Sequence, residues 1–333
     1  MGSDTFKAMV LRQEGEGTTH NIEWLTDADL PEGDVLVDVQ YSSMNFKDAL
    51  AVTGTGKIVR TWPMVPGIDL AGTVRDSSSD EFSVGAQVVL TGWGVGERYW
   101  GGYSQRQRVQ SKWLVELPDG LDPRQAMGIG TAGLTAMLCV MRLEDAGLKP
   151  SDGSVLVSGA MGGVGSVAVS ILASLGYDVT ALILPSQAEH SGYLSSLGAK
   201  DIISGDEWGQ PPRPLETQVW AGAIDTVGGK VLARILSSMD YGGLVANCGL
   251  AGSHDLPSTV MPFILRGVSL LGVDSVMCPR DRRIAAWQRI VMDLPTDALS
   301  AIHHVASLEE TPSVAQDMLA GKLRGRVVVD LNN

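Results

Sequence analysis

The sequence predicts an α/β protein in which a doubly wound parallel sheet is joined to a second, β-rich domain. Residues 154–183 have the pattern of strand, glycine-rich turn, helix and strand. The segments that follow continue to alternate between strand and helix, which is the pattern of a parallel sheet. The first hundred residues instead alternate short apolar runs with glycine and proline turns, which is typical of a barrel-like β domain.

The β-rich domain is predicted from short apolar segments separated by turn residues. Residues 41–50 mix polar side chains into the end of a strand and the start of a short helix. Residues 92–104 gather aromatic side chains in a glycine-rich loop, which fits either the wall of a pocket or the packing of a turn. The predicted strands are 8–11, 35–39, 72–74 and 84–91.

The α/β domain is predicted from the glycine-rich turn. Apolar residues 154–158 lead into Gly159, Gly162 and Gly165, and the apolar run 167–175 continues as a helix. Glycines let a backbone approach a pyrophosphate, and the first N–H groups of a helix favour negative charge. The turn therefore predicts a dinucleotide-binding site, although its Gly-x-x-Gly-x-x-Gly spacing departs from the usual fingerprint.

Later segments complete the alternation of helix and strand. A helix begins near Pro123 and leads toward the glycine-rich turn, and the end of the chain returns to the texture of the first domain. The predicted strands are 177–183, 222–227, 243–247, 268–273 and 326–331, and the predicted helices are 124–141, 282–293 and 313–319.

Composition disfavours several classes of partner. The 333 residues carry a formal net charge of −13, so the surface repels phosphate backbones and anionic membranes. We expect no nucleic acid and no membrane as partners. No apolar run approaches the roughly 18 residues of a membrane span, and the first residues show no apolar signal segment, so we expect a cytoplasmic protein.

Cysteine and histidine give little support for a metal site. The three cysteines, Cys139, Cys248 and Cys278, are far apart in the sequence, whereas disulfide frameworks and zinc knuckles follow recognisable spacings. The adjacent His303 and His304 would point in opposite directions on a strand, which disfavours a shared role as ligands. We therefore expect no metal.

Several long segments make the sequence resemble the medium-chain dehydrogenase/reductase superfamily. The closer resemblance is to its zinc-free, quinone-oxidoreductase-like members of the acrylyl-CoA reductase branch. It implies a β-rich GroES-like catalytic domain, 1–126 together with 277–333, and a Rossmann-type dinucleotide-binding domain, 127–276. The segments that carry it are 30–35, 45–50, 66–74, 90–97, 130–133, 220–228 and 272–277.

The resemblance also implies a reaction. Residues 67–69 stand where zinc enzymes of the superfamily carry a His-Glu pair, and no cysteine precedes Cys139. Without a Lewis acid, carbonyl chemistry loses its electrophile, whereas an enoyl thioester is already polarised for hydride addition. The implied activity is NADPH-dependent reduction of acrylyl-CoA to propanoyl-CoA, with hydride transfer to Cβ and protonation at Cα.

The implied catalytic residues are Asn45, Phe46, Lys47 and Asp48, which are adjacent in the sequence. Close relatives often have tyrosine where this chain has Phe46, so a phenol that could donate a proton is missing. Proton delivery then falls to solvent, or to Lys47 or Asp48 through water. The alternative is that both side chains are structural.

The resemblance implies cofactor contacts in several parts of the chain, with Phe46 beside the nicotinamide and Thr131 as a partner of its carboxamide. Relatives that prefer NADPH carry arginine after the second strand of the Rossmann domain. Residues 183–187 contain neither arginine nor an acidic residue, so we expect NADPH to be modestly preferred, with NADH possible. The implied cofactor-binding residues are Phe46, Thr131, Met161, Gly162, Gly163, Val164, Ser186, Leu250, Ile264, Ser275 and Asn332.

Other functions stay open, and so does the assembly. A quinone or free-enone reductase fits the same residues, and so does a nucleotide-binding protein without catalysis. A CoA-thioester substrate needs cations, for which Arg98, Arg266, Arg282 and Arg283 are candidates by position. Relatives associate as homodimers, and residues 268–273 are a candidate edge for extending the sheet across two subunits.

Overall fold

The computed structural model describes residues 5–15 and 17–332, which form two compact units. The first unit contains the chain up to Thr131, Val276–Trp287 and the chain from His303 onward. The second unit contains Ala132–Ser275 and Gln288–Ile302. Each unit has its own sheet, as expected when a chain of this length folds as two domains.

Strands and helices follow one another along the chain as the sequence patterns suggest. The strands are β1 (Thr5–Glu14), β2 (Gly17–Thr26), β3 (Val35–Met44), β4 (Asp69–Ser77), β5 (Gln87–Thr91), β6 (Arg106–Val109), β7 (Leu114–Glu116), β8 (Ser154–Ser158), β9 (Asp178–Leu182), β10 (Asp201–Ile203), β11 (Trp220–Asp225), β12 (Met239–Asn247), β13 (Ser269–Gly272), β14 (His303–Ser307) and β15 (Arg326–Asp330). The α-helices are α1 (Phe46–Thr53), α2 (Pro123–Asp145), α3 (Gly163–Ser174), α4 (Ser191–Ser196), α5 (Gly229–Ser237), α6 (Met261–Arg266), α7 (Arg280–Asp293), α8 (Thr296–Ile302) and α9 (Thr311–Leu319).

Strand β3 is the centre of the larger sheet in the first unit. It pairs with β15, β4 and β6 in antiparallel registers, and the sheet runs in the order β14-β15-β3-β4-β5-β7. Strands β1 and β2 form a separate antiparallel hairpin. Inward-facing side chains of these strands fill the core, with Val37, Leu70 and Leu90 fully buried. This confirms the predicted β-rich domain.

Six parallel strands form the sheet of the second unit, in the order β10-β9-β8-β11-β12-β13. The chain leaves β8 toward β9 on one side and later returns at β11 on the other side, so the strand order reverses between β8 and β11. Ligands of doubly wound sheets bind at this reversal, beyond the carboxyl ends of the strands. The predicted parallel sheet is confirmed, and its glycine-rich turn directly follows β8.

Helix α2 is the most apolar long helix among the described residues. Its length and composition would allow it to cross a membrane, but 89% of its apolar window is buried inside the protein, as in a core helix. This corrects the expectation that no segment approaches a membrane span. Gly130 interrupts the helix with φ 53° and ψ −160°, outside the helical region.

The compact units differ in more than one place from the predicted domain limits, 1–126 with 277–333 and 127–276. Residues 127–131 and residue 276, which those limits place in the Rossmann-type domain, lie in the first unit. Those limits assign residues 288–302 to the GroES-like domain, whereas they lie in the second unit. There Arg289 pairs with Glu144 at 2.9 Å, and α8 packs against α3. These contacts give the segment its partners in the second unit.

Candidate functional site

Four of the predicted site residues lie where β3 ends and α1 begins. Asn45 is the N-cap of α1, and its N–H donates to Asp48 Oδ2 at 2.9 Å. The other carboxylate oxygen of Asp48 accepts the N–H of Ile68 at 3.0 Å. Asp48 is 1% exposed as a result, and it links α1 to the residue that precedes β4.

A buried carboxylate, Asp69, organises the polar side chains beside this helix. It accepts hydrogen bonds from Ser43 Oγ at 2.5 Å and from Asn45 Nδ2 at 2.8 Å. The guanidinium of Arg326 lies 3.8 Å from the same carboxylate and donates to Asn45 Oδ1 at 3.1 Å. A carboxylate only accepts and a guanidinium only donates, so the two groups fix both ends of the Asn45 amide.

Thr131 reaches the same carboxylate through the break in α2. Its N–H donates to Asp69 Oδ2 at 2.9 Å, and its hydroxyl donates to Asp69 Oδ1 at 2.5 Å. Gly130 permits this approach, because a Cβ at that position would lie 2.5 Å from Arg326 Nη2 and 2.7 Å from Asp69 Oδ2. Asn45 and Thr131, predicted from separate parts of the sequence, therefore meet at Asp69.

Burial shifts the titration of this cluster. The pKa of Asp48 is raised to about 7, first because burial disfavours its charge and second because the Asp69 carboxylate is near. Burial also lowers the pKa of Arg326, although the two carboxylates act in the opposite direction. The pKa of Tyr103, whose hydroxyl donates to the carbonyl of Ser43 at 3.3 Å, lies well above its usual value, again mainly because of burial.

Phe46 and Lys47 are the members of the predicted catalytic set that reach solvent. Phe46 is 45% exposed, although it is a large apolar side chain and other residues of α1 are buried. The side chain of Lys47 is 33% exposed, and its ammonium pairs with Glu97 Oε1 at 2.9 Å. Glu97 belongs to the aromatic loop 92–104, so this loop borders the start of α1 and holds the lysine in place.

In the second unit, the glycine-rich turn presents backbone N–H groups. Helix α3 begins just after Gly162, and within the described chain no side chain caps its start. Gly162 is exposed, and Gly163 and Val164 are partly exposed, so an anion has access to these N–H groups. A Cβ at Gly165 would lie 2.4 Å from the carbonyl oxygen of Gly159, so the turn closes only around glycine.

A second buried carboxylate, Asp225, joins the carboxyl ends of three neighbouring strands. It ends β11 and accepts hydrogen bonds from Ser158 Oγ of β8 at 2.6 Å and from Asn247 Nδ2 of β12 at 2.8 Å. The N–H of Gly228 donates to it at 2.8 Å. Burial raises the pKa of Asp225 despite these donors. The edge from which the glycine-rich turn departs is therefore held by a defined network.

The other residues predicted to contact a cofactor in the second unit occupy different environments. Ser186 is exposed in a short 3-10 helix that follows β9. Leu250 and Ile264 are 65% and 71% exposed, so their apolar side chains are available to a ligand. The hydroxyl of Ser275 is hydrogen-bonded to that of Thr135 at 2.7 Å.

Two further predicted contacts have constrained side chains. Met161, in the turn, is 3% exposed, so its side chain packs inside the second unit and only its backbone can face a ligand. Asn332, in the first unit, donates from its side-chain nitrogen to the carbonyl of Gln40 at 3.1 Å. That bond attaches the C-terminal segment to β3.

The described residues give no support for a metal site, and the arginines predicted for an anionic substrate lie in different environments. Across residues 5–15 and 17–332, no three His, Cys, Asp or Glu side chains are grouped so that they could bind a metal ion. Among the arginines considered for an anionic substrate, Arg266 donates to backbone carbonyls and Arg283 is buried. Arg98 is exposed, and no ion pair joins it to any described residue.

Sequence reasoning missed Asp69, Arg326 and Asp225 as the centres of these networks. A signal was present in each case, because a charged residue borders an apolar run: Asp69 and Arg326 precede one, and Asp225 follows one. Such residues are rarely fully buried unless they are paired. The pattern could have indicated a buried polar network, but it could not have identified the partners.

Two family models match the chain. The first, described as an alcohol dehydrogenase GroES-like domain, matches residues 31–119, within the first unit. The second, described as a zinc-binding dehydrogenase, matches residues 163–292, mostly within the second unit. Together the two models cover most of the chain in the order that the resemblance predicted.

Two curated relatives match nearly the whole chain. A probable acrylyl-CoA reductase, AcuI, of Escherichia coli is 55% identical over 98% of this chain and 100% of its own length. The acrylyl-CoA reductase AcuI of Ruegeria pomeroyi is 53% identical over 98% of this chain and 99% of its own length.

Two solved structures are similar along the whole chain. The yhdH oxidoreductase of Salmonella enterica, in complex with NADP, has a TM-score of 0.95 and 55% identity, covering 97% of this chain and 99% of its own. The yhfP protein of Bacillus subtilis, with NAD bound, has a TM-score of 0.94 and 46% identity, covering 99% of this chain and 100% of its own.

Proposed function

This chain belongs to the medium-chain dehydrogenase/reductase family, in the branch that includes the acrylyl-CoA reductases, and from this premise we propose that it reduces acrylyl-CoA to propanoyl-CoA with NADPH. The observation that carries the proposal is the 55% identity, over 98% of the chain, to the Escherichia coli reductase. A fold alone does not fix a function, so the residues of the site must support the same activity.

The residues present fit a dinucleotide. The uncapped start of α3 offers N–H groups to a pyrophosphate at Gly162, Gly163 and Val164. A Cβ at Gly165 would lie 2.4 Å from the carbonyl oxygen of Gly159, so this glycine lets the start of α3 pack closely on the turn, as the last glycine of a dinucleotide-binding turn does. We assign the remaining contacts as proposed from the sequence, to Phe46, Thr131, Met161, Ser186, Leu250, Ile264, Ser275 and Asn332.

The cofactor supplies a hydride for Cβ of the conjugated thioester when it is bound. The chain must then stabilise negative charge at the thioester oxygen and deliver a proton to Cα. Among the four predicted catalytic residues, only Lys47 combines a proton-bearing side chain with exposure, and Glu97 holds its ammonium at 2.9 Å. We assign proton delivery to Lys47, and Phe46 would contact the nicotinamide ring of a bound cofactor.

Asn45 and Asp48 support this site without taking part in the proton transfer. Both ends of the Asn45 amide are engaged, by Asp69 and by Arg326. Both carboxylate oxygens of Asp48 accept backbone N–H groups. These bonds fix the start of α1, and with it the positions of Phe46 and Lys47.

The preference for NADPH is expected to be modest. The relative from Salmonella enterica binds NADP and the one from Bacillus subtilis binds NAD. Residues 183–187 of this chain contain no arginine for a 2′-phosphate and no carboxylate for a 2′-hydroxyl. Neither nucleotide is strongly rejected on this basis, and a preference for NADH above tenfold in kcat/KM would contradict the assignment of NADPH.

The donors around Asp69 favour a reaction without zinc. Where zinc enzymes of the family carry a His-Glu pair, this chain has residues 67–69, and Asp69 faces a serine hydroxyl, an amide nitrogen and a guanidinium. Zinc sites are built from thiolate, imidazole and carboxylate groups. Metal analysis of the purified protein should therefore find zinc far below one ion per chain.

We also propose a cytoplasmic homodimer. Strand β13 ends the six-stranded sheet, and its side chains are partly exposed, so a second copy could extend the sheet at this edge. The exposed apolar side chains of Ile264 and Leu265 lie on the helix that precedes it. Light scattering coupled to gel filtration should give twice the mass of the chain.

Isotope labelling tests the proposed reaction directly. The purified protein is incubated with acrylyl-CoA and NADPH deuterated at the transferable position, and the product is examined by mass spectrometry and NMR. We expect propanoyl-CoA with one deuterium at Cβ, and in D2O with unlabelled NADPH one deuterium at Cα. Turnover of quinones or free enones without turnover of the thioester would identify the other reductase activity, and binding without any turnover would indicate a non-catalytic protein.

The role of Lys47 has its own test. Lys47→Met should lower kcat about 100-fold, because positioned general acids contribute about 100-fold to 10,000-fold to proton transfer, and it should change KM for NADPH little. Lys57→Met is the matched control, since Lys57 is exposed and follows the same helix. If the two substitutions have equal effects on kcat, Lys47 does not deliver the proton, and solvent becomes the proton donor.

A further inference from the structure

We propose that Asp69 is a positioning residue that fixes the hydroxyl of Thr131 as a hydrogen-bond acceptor, so that Thr131 selects a ligand with an N–H donor. The ligand group that fits is the primary carboxamide of a nicotinamide. This inference rests on the proposed function only in taking a nicotinamide dinucleotide as the ligand. It adds a direction to the hydrogen bond and names the residue that sets it.

The Thr131 hydroxyl has one proton, and the geometry assigns that proton. Oγ1 lies 2.5 Å from Asp69 Oδ1, while the backbone N–H of Thr131 lies 2.9 Å from Asp69 Oδ2. A hydroxyl has one donor and two acceptor positions, and an ionised carboxylate has no donor. The proton therefore points to Asp69, and any other polar group that approaches Oγ1 must donate to it.

The other neighbours of Asp69 are hydrogen-bond donors or carry positive charge. Asn45 Nδ2 and the N–H of Thr131 are groups that can only donate, and both lie within 2.9 Å of Oδ2. Ser43 Oγ is 2.5 Å from the same oxygen. Arg326 supplies the opposing positive charge at 3.8 Å, as a buried carboxylate requires.

The backbone around Thr131 is shaped for this contact. Gly130 leaves the helical region just before Thr131, and a Cβ there would lie within 2.8 Å of Arg326, Asp69 and Ser43. Thr131 itself is only partly buried, whereas Asp69 is fully buried. The carboxylate is thus sealed in the first unit, while Thr131, whose hydroxyl it orients, is partly exposed.

An acceptor of fixed direction distinguishes two dinucleotides of nearly the same shape. The carboxamide of NADP+ has an NH2 group, and its 3-acetylpyridine analogue has a methyl group in the same place. When the analogue is bound, its methyl group cannot donate a hydrogen bond to the Thr131 oxygen. An acceptor that is buried by the ligand without a partner costs binding free energy. We expect wild-type protein to bind NADP+ about tenfold more tightly than the analogue, as one hydrogen bond allows.

Calorimetric titration of the full chain with NADP+ and with 3-acetylpyridine adenine dinucleotide phosphate measures this selection without turnover. Thr131→Val should reduce the affinity ratio to about twofold or less, while Thr131→Ser, which keeps the hydroxyl, should retain it. Asp69→Asn should also reduce the ratio, because its amide nitrogen can donate to Oγ1 and free the threonine proton. If Asp69→Asn does not fold, the affinity ratios of the two Thr131 variants decide whether the Thr131 hydroxyl selects the carboxamide.

Equal affinities of the wild-type protein for the two dinucleotides would overturn the inference, and so would an undiminished ratio in Thr131→Val. A different result would contradict the proposed function instead: if NADP+ fails to bind at all, the chain has no dinucleotide site, and this inference falls with it. If the protein does not reduce acrylyl-CoA but still prefers NADP+ to the analogue as expected, the role of Asp69 is supported and the proposed substrate is wrong.

Discussion

The two buried carboxylates, Asp69 in the first unit and Asp225 in the second, hold their surroundings in different ways. Asp69 collects side chains from distant segments and lies 3.8 Å from the guanidinium of Arg326. Asp225 joins the ends of three adjacent strands and accepts only neutral donors, among them Ser158 and backbone N–H groups. The charge of the Arg326 guanidinium therefore balances Asp69, whereas the dipoles of neutral donors stabilise Asp225.

This difference matches what each unit leaves open to a ligand. Beside the buried Asp69 network, the side chain of Phe46 is exposed, and Lys47 and Thr131 are partly exposed. Hydrogen bonds to Asp225 hold the strand ends together, and the backbone of the glycine-rich turn stays accessible. A site built from side chains can direct a proton or select a functional group, whereas a site built from N–H groups suits a phosphate.

The largest expected effect comes from breaking the Asp69 network at its closest approach. Gly130→Ala places a Cβ 2.5 Å from Arg326 and 2.7 Å from Asp69, and it also requires alanine at φ +53°. We expect a loss of about 3–5 kcal/mol in the free energy of unfolding, as when a buried ion pair is disrupted. Urea titration measures this loss.

Gly147→Ala is the matched control for that loss. Gly147 also has a positive φ, +103°, but a Cβ there meets nothing within 4 Å. It should cost only the backbone strain, about 1–2 kcal/mol. If the two variants lose equal stability, the network around Asp69 tolerates a side chain and the close approach at Gly130 has no energetic role.

A smaller effect is expected from breaking the turn beside Asp225. Gly165→Ala forces its Cβ to within 2.4 Å of the Gly159 carbonyl, so the turn must open and misplace its N–H groups. We expect the Kd for NADP+ to rise about 100-fold, which corresponds to about 2.7 kcal/mol. Gly192→Ala, where a Cβ meets nothing within 4 Å, should leave the Kd unchanged. Unchanged binding in Gly165→Ala would mean that the dinucleotide does not use this turn.

The predicted fold was confirmed wherever a single segment carried its own signal. Local apolar patterns predict three such parts of the fold: the strands on both sides of the glycine-rich turn, the short helix after Asn45 and the final strand. Strand β2 does not, because its residues are partly buried or exposed without a regular alternation. It forms because β1 offers a pairing edge along its whole length, which is a long-range cause.

The candidate site divides along the same line. Gly162, Gly163 and Val164 are neighbours in sequence, so the turn could be predicted from spacing and glycine content. The Asp69 network joins residues from β3, β4, α2 and β15, and no local pattern connects Asp69 with Arg326. Asn45 and Thr131 entered the prediction through a family resemblance, and their shared partner became visible only in three dimensions.

The smallest expected effect concerns the proton balance of the Asp69 network. The pKa of Asp48 is about 7 in the folded protein, against an ordinary value of 3.8 for aspartate, so between these values the folded state binds more protons than the unfolded state. Its contribution therefore destabilises the fold as pH rises from about 4 to 7 and changes no further above that range. The groups that face it are Asp69, Tyr103 and Arg326.

Asp48→Asn removes this titration and sharpens the contrast between the two carboxylate networks. The wild-type free energy of unfolding should fall between pH 5 and 7 by up to about 1 kcal/mol per pH unit more than that of Asp48→Asn. Asp80→Asn, at an exposed aspartate, should keep the wild-type slope. An unchanged slope in Asp48→Asn would show that Asp48 stays ionised through this range, and that Arg326 balances the two buried carboxylates Asp48 and Asp69 rather than Asp69 alone.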